Sequence, residues 1–76
     1  MKELVLFLAK HLVNHPEAVE VKETQGDTAS VLELKVAKED LGRVIGKQGR
    51  TIRALRSLAR IAGAKHNRRY LLEIVE

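Results

Sequence analysis

The run Val44-Ile45-Gly46-Lys47-Gln48-Gly49-Arg50-Thr51-Ile52 decides how the rest of this chain is read. Two glycines three residues apart enclose a lysine and a glutamine, and an apolar pair precedes them. Glycine reaches positive φ without strain and lets another backbone come close, so the pair suits a tight loop between two helices. Apolar residues recur at helical spacing after Arg50, so the loop leads into a helix N-terminus. Free N–H groups and the positive end of the helix dipole favour an anion there, and Lys47 adds a point charge at the same place. Gly46, Lys47, Gln48 and Gly49 are therefore the candidate phosphate cradle, with Ile45 and Ile52 as a candidate apolar floor for a base. Two competing phosphate motifs fail on spacing. Gly42, Gly46 and Gly49 read GxxxGxxG after a helix, not GxGxxG after a strand, and a Walker A loop would need glycine at Leu41 and Ser or Thr at Gln48.

Downstream, a helix is expected from Arg50 to about Ala62, with Gly63 as its C-terminal cap. On a wheel of about 100° per residue, Ile52, Leu55, Leu58, Ala59 and Ala62 share the expected core face. Arg50, Arg53, Arg56 and Arg60 form a stripe along one flank, an electrostatic track for a polyanion. Arg50 and Arg53 lie nearest the cradle and are the strongest candidates for contact. Ile61 falls away from the core face, beside Ala54 and Ser57. An apolar residue there either packs under the last strand or meets a second copy of the chain, so Ala54, Ser57 and Ile61 are the candidate homodimer contact.

Upstream, residues 1–14 carry Leu4, Val5, Leu8, Leu12 and Val13 at helical spacing, and Pro16 stops that helix near Asn14. Residues 18–23 and 30–36 alternate apolar and polar on either side of the turn Thr24–Thr28, which reads as a hairpin with one buried face. Lys38-Glu39-Asp40 opens a short helix with acids in its first turn, continued by Leu41, Val44 and Ile45. Residues 64–68 are a basic connection that includes His66, and Arg69–Val75 is a strand with Tyr70, Leu72 and Ile74 on one side. The expected fold is α+β in the order α-β-β-α-α-β: a three-stranded mixed sheet covered by helices on one face, forming one domain over residues 1–76.

Composition narrows the function. The chain has 76 residues, 14 Lys and Arg against 10 Asp and Glu, and no cysteine, so disulfide frameworks and thiolate zinc sites are excluded. Residues 1–37 are net acidic, whereas residues 38–76 hold ten of the basic side chains and four of the acidic ones. A basic half points to a polyanionic partner. Phe7 and Tyr70 are the only aromatics, which argues against binding by a row of stacked rings. His11 and His15 stand four apart, but Pro16 ends the helix before the second, and they read as a surface helix end; no metal or cofactor is expected. No Ser/His/Asp or Cys/His set is present, and Glu39 and Asp40 read as helix-start residues, so the chain is expected not to be an enzyme. With no apolar run long enough for a membrane span or a signal-peptide core, a cytoplasmic protein is expected.

The glycine pair alone is also what a plain helix–helix turn needs. In context the stretch VIGKQGRTI, set in an α-β-β-α-α-β chain of this size, resembles the KH domain in its type II arrangement, and the whole chain is similar to the small single-KH proteins of bacteria, the KhpA family. The resemblance implies single-stranded RNA as partner, clamped over four nucleotides by Gly46–Gly49, and a role as an RNA chaperone or post-transcriptional regulator. It also implies a larger partner that carries a KH domain and a second nucleic-acid-binding domain. The alternatives are a protein-interaction module that mainly dimerises or docks that partner, and a helix-turn-helix DNA binder. The intact loop with Lys47 favours RNA. The two glycines and the hairpin count against the DNA reading.

Overall fold

A computed structural model describes residues 1–75. The alternating runs form two antiparallel strands, β1 (Glu20–Gln25) and β2 (Ala29–Lys35), in the register Val21 to Leu34 and Glu23 to Leu32. The last strand, β3 (Arg69–Val75), joins β2 in parallel, with Leu72 beside Leu32. The sheet order is therefore β1-β2-β3, with β2 in the centre. Helices α1 (Lys2–Leu12), α2 (Leu41–Ile45) and α3 (Arg50–Ala64) complete the mixed α+β fold. A parallel pair needs a crossover, and α2 and α3 together supply it between β2 and β3.

The core lies between the sheet and the helices. Leu32 and Leu34 on β2 are fully buried, and Val5 and Ala9 of α1, Val44 of α2 and Leu55 of α3 close over that face. Truncating either leucine to alanine would cost about 2–5 kcal/mol. Helix α1 stops at Leu12, where Val13 turns extended, two residues short of the expected end. Pro16 holds His15 out of helical geometry, as its ring requires.

Four expectations need correction. Leu4 is exposed, and the buried face of α1 is centred on Val5 and Ala9. Leu58 is 46% exposed although the wheel put it on the core face. Helix α2 packs on α3 but has only five residues, so it covers the start of α3 and leaves the far end of that flank bare. Gly63 is not a cap. It sits inside α3, buried, where a Cβ would meet the Arg68 carbonyl oxygen at 2.6 Å and the Tyr70 ring at 2.7 Å. The left-handed residue of the connection is Asn67, at φ 55°. Finally, Lys38–Asp40 forms a 3-10 turn, and Asp40 does not serve its own helix. Its carboxylate is fully buried and accepts the backbone N–H groups of Asn14, at 3.1 Å, and His15, at 2.9 Å. Asp40 thus ties the end of α1 to the start of α2.

Candidate nucleic-acid interface

Helix α2 ends because Gly46 adopts φ 76° and ψ 171°, a conformation that side-chain-bearing residues avoid. Space forbids a side chain there as well. A Cβ on Gly46 would lie 2.8 Å from the Thr51 backbone nitrogen and collide with the Thr51 hydroxyl. Gly49 is different: it is left-handed at φ 74°, but a Cβ would meet nothing closer than Ile52 at 3.9 Å. Gly46 is thus needed for conformation and close approach, Gly49 for conformation alone. Between them Gln48 is also left-handed, at φ 57°, and the Gly49 N–H donates to the Gly46 carbonyl at 3.1 Å. The chain makes a closed turn and enters α3, 15 residues long, at Arg50.

The loop presents Lys47, Gln48 and Arg50 as exposed side chains at that helix N-terminus. Arg53 does something the sequence did not disclose. Its Nη2 donates to the Gln48 carbonyl at 2.9 Å and its Nε to the Gly49 carbonyl at 3.3 Å. It therefore braces the left-handed loop from one turn further along α3, while its charge stays at the cradle. The two isoleucines also part company. Ile45 is 41% exposed beside the loop, whereas Ile52 is only 7% exposed and belongs to the core. The expected floor for a base is thus Ile45 alone, with Ile52 supporting the loop from beneath.

Further along the stripe, Arg56 Nε donates to the Leu72 carbonyl on β3 at 3.1 Å. Arg56, Arg60, Tyr70 and Leu72 line a cleft of about 360 Å³ between α3 and β3, the edge strand of the sheet. The sequence places Tyr70 and Leu72 on one side of a strand but does not connect them with the arginine stripe. Among the described residues, no carboxylate lies within ion-pair distance of Lys47, Arg50, Arg53, Arg56 or Arg60; the ion pairs found involve Met1, His15 and their glutamates. Charge along this flank is therefore available to a polyanion. A larger cleft of about 780 Å³, lined by Glu20, Lys35, Val36, Lys38 and Leu41 among others, shares no residue with the loop.

The remaining candidates fall elsewhere. Ile61 is 58% exposed and stands one turn from Leu58, with Ala54 exposed and Ser57 half-buried nearby. His11 donates from Nδ1 to the Phe7 carbonyl at 2.8 Å. His15 sits between Glu17 and Glu39, at 3.8 and 3.7 Å. Among the described residues no three side chains form a metal-binding group, and no helix is long and apolar enough to cross a membrane.

With this geometry, residues 2–74 match the family described as KhpA/KhpB, KH domain. The chain belongs to this KH family. It is 51% identical over 75 residues to RNA-binding protein KhpA of Caldanaerobacter subterraneus subsp. tengcongensis, covering 99% of this chain and all of that protein. The proteins of the same name from Clostridium perfringens, at 49% identity over 99% of this chain, and Listeria monocytogenes, at 47% over all of it, are likewise covered in full. The family is a non-enzymatic one, and the α+β order described above is consistent with its KH domain.

Proposed function

We propose that the chain binds single-stranded RNA and holds the backbone of about four nucleotides against Gly46–Gly49. Phosphates meet the N-terminal N–H groups of α3 and the ammonium of Lys47, with Gln48 and Arg50 beside them. Ile45 receives a base, Ile52 supports the loop from the core, and Arg53 keeps the loop in its left-handed shape. The observation that carries this reading is the positive, carboxylate-free loop at the start of a long helix. The relatives named RNA-binding protein KhpA support RNA as the partner. Residues 1–76 would act as one KH unit in the cytoplasm, as an RNA chaperone or a post-transcriptional regulator. Titration of matched single-stranded and duplex RNAs tests the proposal. Tighter binding of the single strand is expected, and equal or tighter duplex binding would overturn it.

A second reading concerns the other flank of α3. Leu58 and Ile61 are both exposed there, one turn apart, and a two-fold contact would bury them against their own copies. We infer a weak homodimer through Ala54, Ser57, Leu58 and Ile61. The same face would serve the larger KH-domain partner in a heterodimer. Sedimentation of the wild type as a pure monomer at high micromolar concentration would exclude the homodimer.

A further inference from the structure

We propose that Arg56 makes the cleft between α3 and β3 select guanine over adenine, an inference that rests on the RNA reading above. Strand β3 has β2 on one side only, so its other edge is open to a ligand lying along α3. An open edge normally offers backbone acceptors as well as donors. Here Arg56 Nε donates to the Leu72 carbonyl at 3.1 Å, so the guanidinium stands between that acceptor and the cleft. That bond fixes the guanidinium over the cleft and leaves its two Nη groups without a protein partner among the described residues. The cleft therefore meets a base with paired N–H donors where a bare edge would have shown a carbonyl.

Base chemistry follows. Guanine presents two adjacent acceptors, O6 and N7, whose spacing matches the fork of a guanidinium. Adenine presents N7 beside an amino group, so one donor would face another. The only carboxylate lining the cleft, Glu73, is one residue along β3 from Leu72 and so projects to the opposite face of the sheet. It does not restore an acceptor at the position Arg56 covers. Lysine would keep the charge but not the planar fork.

The test uses short oligouridines with one guanine or one adenine placed at each position in turn, titrated against the full chain by fluorescence anisotropy. In the wild type, guanine at its best position should bind about 5- to 100-fold more tightly than adenine there. Inosine, which keeps O6 and N7, should match guanine, whereas 7-deazaguanine should fall to the level of adenine. Arg56→Lys should bring the guanine-to-adenine ratio close to one. Equal binding of guanine and adenine by the wild type, a silent 7-deaza substitution, or a preference that survives in Arg56→Lys would each overturn the assignment. Lys47→Asp/Gln48→Asp separates the two layers. If it still binds RNA and the preference still depends on Arg56, the loop reading fails and the Arg56 assignment stands.

Discussion

Replacing Lys47 and Gln48 together by aspartate should separate binding from stability in opposite directions. Both side chains are exposed, and neither makes a hydrogen bond or an ion pair among the described residues. Folding therefore loses no side-chain contact, and any destabilisation should stay within about 0.5 kcal/mol. Two details push the balance towards stabilisation. Gln48 is left-handed at φ 57°, a conformation that aspartate tolerates well. Both positions also sit just before the N-terminus of α3, where a negative charge gains about 0.3–1 kcal/mol from the helix dipole. RNA meets the reverse situation. The loop changes by three charge units, and two carboxylates face phosphate where an ammonium stood. Like charges brought together at an interface cost several kcal/mol, so affinity should fall by at least about 30-fold. Loss of one phosphate contact should also flatten the salt dependence by about 0.7 in log–log slope. Thermal denaturation and an anisotropy titration on the same preparation check both halves. A folded double variant with wild-type affinity and salt slope would place the RNA site elsewhere.

Three further outcomes follow from single contacts. Gly46→Ala should cost about 3 kcal/mol or more, because strain and the collision with Thr51 add, whereas Gly49→Ala should cost only about 1–2 kcal/mol; comparable losses in urea unfolding would contradict the assigned roles. Asp40→Ala should destabilise by about 2–3 kcal/mol by orphaning the Asn14 and His15 N–H groups, and Asp40→Asn, which keeps one acceptor, by about half as much; a neutral alanine variant would show that water replaces the carboxylate. Ile61→Lys should remain folded with an unchanged melting temperature and sediment as a monomer, since the position is exposed; unfolding would mean that Ile61 is core.

How far the sequence could be read depends on the range of the interaction. The glycine loop, the hairpin and the third strand were legible because each rests on local rules: positive φ, alternation, strand propensity. The expectations that failed concern partners distant along the chain. Asp40 looked like a first-turn acid, yet its donors lie 25 and 26 residues away at the end of α1. Gly63 looked like a cap because nothing local announces the Tyr70 ring packed against it. Leu58 fell on the apolar side of the wheel, but a wheel gives an angle and not the length of the neighbouring element, and α2 is too short to cover it. At the loop, the positive φ of the two glycines was legible from their spacing, whereas the bracing by Arg53 depends on which carbonyls a left-handed turn exposes. The Arg56 contact with Leu72 depends on α3 packing over the edge strand, which no spacing encodes.

The central claim is that RNA is held at the glycine loop and not on another surface of this small fold. Backbone amide shifts of the isotopically labelled chain, followed during titration with a short single-stranded RNA, test it most directly. Saturable shifts should concentrate at Ile45–Arg53 and extend along α3 to the Leu72 edge of β3. The exposed sheet residues Lys22 and Lys35, and the half-buried Glu33 between them, should stay still. Shifts centred on that sheet face or on α1, with Gly46–Gly49 unmoved, would contradict it.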